Sequence, residues 1–184
     1  MFIIIKIIAG SNKGFILKTK EGLSTRPTLN RIKENVFNII REKVVNSNFL
    51  DLFAGSGGIA LESISRGAAR AVLVEKDKKA FAVVKANIDK TKTNDKVIAI
   101  NSDYKDYLKR SNDKFDLIYI DPPYELEAYE ECLNLIGNYK VLANEGIIIV
   151  ESKKNQEIPL VNDYFLCYRN ITYGNTKIWF YKEK

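Results

Sequence analysis

The sequence predicts an α/β fold: a mostly parallel open sheet with an antiparallel hairpin at one edge, led by a small N-terminal β-hairpin and a helix. Three observations predict it. From residue 48 to 151, short apolar runs alternate with segments of helical spacing, the pattern of an open α/β sheet. The apolar runs are near-continuous Val, Ile and Leu, as burial on both faces of a parallel sheet requires. The last two runs flank Tyr173-Gly174-Asn175, a turn that joins antiparallel neighbours.

The elements follow in order. Residues 3–8 and 15–18 read as short strands around Ser11-Asn12-Lys13-Gly14, where glycine can take a positive φ. Residues 21–27 read as a loop. Thr28 is the expected N-cap of a helix in which Ile32, Val36, Phe37 and Ile40 recur at helical spacing. Arg31, Lys33 and Arg41 are expected on its exposed face. Phe49 to Phe53 is a strand, then a glycine turn, then a helix from about Ile59 to Arg66 stopped at Gly67. Strands are expected over 71–75, 97–100, 115–120 and 146–151, with helices around Ala80 to Ile88 and 127–137. Two strands, 164–172 and 176–182, close the chain. At 184 residues the expectation is one domain, with residues 1–45 as a hairpin-and-helix appendage and 46–184 as the α/β core.

Composition narrows the function. Lys and Arg number 29 against 23 Asp and Glu, a net charge of +6, which suggests a polyanionic partner or a lysine-rich proteome. There is no histidine, so the commonest general base and the commonest metal ligand are both missing. Cys132 and Cys167 stand far apart, in no metal-like spacing, and fit a reducing cytoplasm. The apolar run from Met1 to Ile8 is shorter than the roughly 20 residues that span a bilayer, and it lacks the flanks of a signal peptide.

In open α/β sheets ligands bind beyond the carboxyl ends of the strands, so the residues there carry the chemistry. The first strand ends in Asp51-Leu52-Phe53-Ala54-Gly55-Ser56-Gly57. Its glycines allow a tight turn and a close approach of ligand to backbone, or simply the turn. Glu75, 18 residues after Gly57, can accept from both hydroxyls of a ribose; alone, it reads equally as a solvated acid. Asp103 can accept from an exocyclic adenine amine or cap a loop. The fourth strand ends in Asp121-Pro122-Pro123-Tyr124. Two prolines remove two donors and fix two φ values, which leaves the Asp121 carboxylate and nearby carbonyls free to accept. Adjacent acceptors suit the two hydrogens of an exocyclic amino group. Tyr124 offers a flat face to a base drawn out of its stack.

Asp-Pro-Pro-Tyr resembles the signature of methyltransferases that act on exocyclic amines of bases, and Asp51–Gly57 resembles the S-adenosylmethionine loop of Rossmann-like class I methyltransferases. More closely, the chain resembles the bacterial 16S ribosomal RNA guanine-N2 methyltransferase family, the RsmD family. The matching stretches are Arg26 to Glu34 with Phe37-Asn38, Asp51 to Gly67, Phe115 to Tyr124, and Tyr173 to Thr176. Asn30 and Lys33 stand where the family commonly has Asp and Arg.

The resemblance implies methyl transfer from S-adenosyl-L-methionine to a guanine N2 amine in small-subunit ribosomal RNA, free or in an assembly particle. No metal, no membrane, a monomer and a cytoplasmic location are expected. The implied cofactor residues are Asp51, Phe53, Ala54, Gly55, Ser56, Gly57, Glu75 and Asp103. The implied catalytic residues are Asp121, Pro122, Pro123 and Tyr124, with Asp121 and the Pro122 carbonyl orienting the amine. Lys13, Arg26, Arg31 and Lys33 are the expected RNA-docking residues. The rivals are a DNA adenine-N6 methyltransferase, which usually needs a separate target-recognition domain that 184 residues are expected to leave no room for; a non-catalytic RNA-binding relative, whose motifs would be broken; and a nicotinamide dehydrogenase, since Gly55, Gly57 and Ala60 fit that fingerprint.

Overall fold

The computed structural model describes residues 5–19, 27–123 and 126–184, with backbone only at 27–29, 126 and 127. A two-stranded antiparallel hairpin, β1 (Ile5–Lys6) and β2 (Ile16–Leu17), comes first. Gly14 in its turn has φ +88°. Helices α1 (Pro27–Ile39) and α2 (Arg41–Val44) lead into β3 (Asn48–Asp51). Then follow α3 (Gly58–Ser65), β4 (Arg70–Val74), α4 (Lys78–Thr91), β5 (Val97–Ile100) and α5 (Tyr104–Arg110). The chain continues through β6 (Phe115–Ile120), α6 (Leu126–Asn138), β7 (Leu142–Lys153), β8 (Phe165–Tyr173) and β9 (Thr176–Glu183).

The seven-stranded sheet runs β5-β4-β3-β6-β7-β9-β8. Its first five strands pair in parallel, and β7-β9-β8 pair antiparallel. Both faces are apolar because alternate residues serve different cores. Phe49, Leu73, Leu117, Tyr119, Ile149 and Phe180 pack with α1, α3 and α4. Leu50, Val72, Ile118, Ile120, Val150 and Tyr181 pack with α5 and α6. The order reverses between β3 and β6, whose following loops leave toward opposite sides, and such a switch point opens a crevice at the carboxyl ends. Among the described residues no helix is long and apolar enough to cross a membrane.

The hairpin is docked by α3. The Ser11 N–H donates to the Ser65 carbonyl at 2.8 Å, and the Ser65 hydroxyl donates to the Ala9 carbonyl at 2.5 Å. Gly10 has φ +84° and lies so close that a Cβ there would fall 1.7 Å from the Ser65 oxygen. Only glycine fits that contact.

Three expectations are corrected. The first long helix starts at Pro27, so Thr28 lies inside its first turn instead of capping it; proline, with no N–H to leave unpaired, suits that first position. An unexpected helix, α5, follows Asp103. β7 starts at Leu142 rather than Gly146, because a register shift between Phe115 and Leu117 lets the strand pair earlier around Glu145, at φ +57°.

Candidate active site

The glycine turn after β3 is built from positive φ values at Gly55 (+56°) and Gly57 (+79°). A Cβ on Gly57 would come within 3.0 Å of Leu73, whereas one on Gly55 would meet nothing described within 4 Å. The backbone at Gly55 is therefore open to a ligand, as S-adenosylmethionine would require, and Gly57 is held by packing. Glu75, just beyond β4, closes the turn: its carboxylate accepts from the Gly55 N–H at 2.8 Å and the Asp77 N–H at 2.7 Å. Glu75 is half-buried and keeps lone pairs for hydroxyl donors.

Asp51 is 2% exposed, and its carboxylate accepts from the Phe53 N–H at 3.3 Å. Burial pushes its pKa up to about 7, with the Glu75 charge adding and hydrogen bonds from the Phe53 and Ala60 backbone opposing. Phe53 lies 5.0 Å from the Tyr104 ring, centroid to centroid, between the glycine turn and α5. Asp103 caps α5 by accepting from the Lys105 N–H at 2.9 Å and pairs with Lys76 at 2.9 Å. Those contacts hold its carboxyl below the usual carboxylate range despite partial burial. The capping alternative thus has geometry here, and one of its oxygens is committed to the helix.

Asp121 follows β6 directly, exposed, with Pro122 buried and Pro123 exposed. It stands one residue past the paired Ile120 and Val150, level with Glu151 on β7. On the other side Asp51 pairs with Tyr119. The Tyr119 hydroxyl donates to Glu151 at 2.5 Å. Four oxygen-bearing side chains, Asp51, Tyr119, Asp121 and Glu151, therefore gather at the ends of three adjacent strands. Asp121 is exposed as a residue, yet its carboxyl is crowded by protein. That burial, then the charges of Glu151 and Asp51, raise its pKa well above the usual value. Burial also raises Glu151, opposed by the Tyr119 hydrogen bond. Such a cluster favours a cation or a hydrogen-bond donor placed against it. Tyr124 lies outside the described residues.

Of the expected RNA-docking residues, Lys13 and Arg31 are exposed and Arg26 lies outside the described residues. Lys33 is corrected: it is 4% exposed and faces inward. Its ammonium pairs with Glu62 at 3.1 Å and donates to the Lys6 carbonyl at 2.7 Å. Burial lowers its pKa, and Glu62 draws it back up. Glu62, with no exposed surface, also takes Arg66 at 2.7 Å and the Ile8 and Ala9 N–H groups at 2.7 and 3.1 Å. Lys33 anchors the hairpin to α1 and α3 and offers no cation to an RNA backbone.

Glu151 and Tyr119 join this cluster without having been among the expected residues. The signal for Glu151 was present, a carboxylate ending an apolar strand as Glu75 and Asp121 do. The Tyr119 role needs the β6–β7 register, which no local pattern gives.

Sheet order, glycine turn and strand-end acids define a Rossmann-like class I methyltransferase fold. A solved Escherichia coli protein, yhhF, superposes with a TM-score of 0.89 at 29% identity, each chain covered over 98% of its length. The family model described as conserved hypothetical protein 95 matches residues 5–182. Ribosomal RNA small subunit methyltransferase D of Buchnera aphidicola is 36% identical over 170 residues, covering 91% of this chain and 88% of the relative. The Escherichia coli protein of the same name is 31% identical over 180 residues, covering 98% and 90%. The chain belongs to the ribosomal RNA small subunit methyltransferase D family.

Proposed function

We propose that the chain is an S-adenosylmethionine-dependent methyltransferase acting on a guanine N2 amine of small-subunit ribosomal RNA, free or in an assembling particle, in the cytoplasm. The observation that carries this reading is the placement of Asp121, after buried β6 and before two prolines, across the switch point from the open Gly55 turn. Family membership supports ribosomal RNA as the substrate.

When bound, S-adenosylmethionine would supply a methyl group on a sulfonium, a strong enough electrophile that the protein's work is alignment. The glycine turn and Asp51 would hold its amino-acid end, Glu75 the ribose, and the Asp103 region the adenine. Asp121 and the Pro122 carbonyl would accept the two hydrogens of the amine. An aromatic amine is a poor nucleophile because its lone pair is delocalised. Accepting its N–H hydrogens returns electron density to nitrogen, and an ionised Asp121 stabilises the positive charge that builds there. Tyr124 would stack on the flipped guanine. Lys13, Arg26 and Arg31 would contact phosphates and make affinity fall with salt.

The test is methyl transfer from labelled S-adenosylmethionine to small-subunit RNA and particles, followed by nucleoside analysis. N2-methylguanosine is expected. Label in N6-methyladenosine, or in no base, overturns the reading.

A further inference from the structure

Asn87 of α4 has no exposed surface, and it ties two distant segments together. Its Oδ1 accepts from the Lys18 N–H at 2.8 Å. Its Nδ2 donates to the Lys18 carbonyl at 2.9 Å and to the Ser56 carbonyl at 2.8 Å. Lys18 directly follows β2 of the hairpin. Ser56 is the residue between Gly55 and Gly57. The amide orientation follows from its partners: two carbonyls require the NH2 side and one N–H requires the oxygen. The same two segments also touch directly. A Cβ on Gly58, at the start of α3, would lie 3.4 Å from Ile5 and 3.8 Å from Leu17, side chains of the two hairpin strands.

From this geometry we infer that Asn87 is a positioning residue that couples the N-terminal hairpin to the cofactor turn, so that RNA docked on the hairpin tightens cofactor binding and the cofactor tightens RNA binding by the same factor. The inference rests on the cofactor and RNA readings above. The coupling is mechanical. The Ser56 carbonyl cannot shift without stretching a bond to an amide that is itself clamped to the hairpin backbone. Ordering the hairpin therefore restricts the turn, and ordering the turn restricts the hairpin. Such coupling is reciprocal by linkage and typically amounts to about 5–150-fold in affinity. The hairpin has a second anchor, Glu62, which binds Ile8 and Ala9 but makes no hydrogen bond to the glycine turn. That separates coupling from mere stability.

The experiment is calorimetry of S-adenosylhomocysteine binding, with and without a small-subunit RNA fragment, on the full chain. Wild type is compared with Asn87→Asp, Asn87→Ser and Glu62→Gln, each with its melting temperature. Asn87→Asp keeps the acceptor for Lys18 and loses both donors. It should bind the probe about 10-fold more weakly, as two lost hydrogen bonds allow, and should show no tightening by RNA. Asn87→Ser should behave alike. Glu62→Gln should melt lower while its affinity and RNA response stay within about 2-fold of wild type. If Glu62→Gln loses as much affinity and RNA response as the Asn87 variants, Asn87 is only structural and the inference fails. A second measurement needs no variant. Amide hydrogen exchange on wild type should show the Lys18 N–H slowing when the probe binds; an unchanged Lys18 beside a protected Gly55 overturns the coupling alone. A wild type that binds no S-adenosylhomocysteine overturns the cofactor reading and the coupling together.

Discussion

The Lys33 ammonium and the Glu62 carboxylate form a buried ion pair of 3.1 Å, with side-chain exposures of 5% and 0%. The two partners are not equivalent. Glu62 retains Arg66 and two backbone N–H groups when Lys33 is removed. When Glu62 is removed, those donors lose this acceptor and Lys33 loses its counter-charge, keeping only the Lys6 carbonyl. Leaving an uncompensated charge buried costs about 3–5 kcal/mol. Glu62→Ala should destabilise the chain by roughly that amount in chemical denaturation, and Lys33→Met by clearly less. Equal losses would contradict the account of Glu62 as the hub.

Asp51 predicts a pH dependence. Its carboxyl titrates near 4 in the unfolded chain and at about 7 when folded. Between those values the unfolded chain has released a proton that the folded chain still holds. This contribution is fully present below about pH 4 and is lost as pH rises through about 7, by up to ~4 kcal/mol. Asp51→Asn should flatten that slope in urea titrations. A cation bound against Asp51 favours its ionised form, so calorimetry at pH 6 in buffers of different ionisation enthalpy should reveal proton release on S-adenosylmethionine binding. Proton uptake would contradict the placement of the cofactor's amino-acid end.

Glu151 predicts a shift in the acid limb of the rate profile. Burial first, then Glu151 and Asp51, raise the Asp121 carboxyl, and an amine acceptor must be ionised. Glu151→Gln removes one negative neighbour yet can still accept from Tyr119. The acid limb of single-turnover methyl transfer should move to lower pH, though the limb belongs to the cluster and not to one residue. A limb that stays in place would show that Glu151 does not act on Asp121.

The sheet was legible because its strands are apolar on both faces: β4, β5 and β6 lie within a residue of their expected bounds, β3 stops at Asp51, two residues short of the expected Phe53, and their ends named most of the candidate acids. α5 was hidden because Tyr104–Arg110 is mostly polar and buries only Tyr107 and Leu108, too short a stripe for a helical period. The inward position of Lys33 does have a signal in the sequence. Lys33 sits three, four and seven residues before Val36, Phe37 and Ile40, on the apolar stripe itself. What the sequence could not supply was its partner, since Glu62 reaches it only through the docking of α3 on α1. Asn87 is similar: a polar residue beside Val84 and Ile88 on a buried helix face, whose partners come from the hairpin and the glycine turn.

The proposed reaction has a division of labour: Asp121 acts on the reacting amine while Glu75 and the glycine turn hold the cofactor. It is tested most directly by single-turnover methyl transfer to small-subunit RNA or particles with Asp121→Ala, with S-adenosylmethionine affinity measured in parallel. Removing one preorganised electrostatic partner typically costs about 10²–10³ in turnover. A rate loss of that order is expected, with cofactor affinity changed by no more than a few-fold. Methyl transfer at the wild-type rate by Asp121→Ala would contradict it and place the chemistry elsewhere.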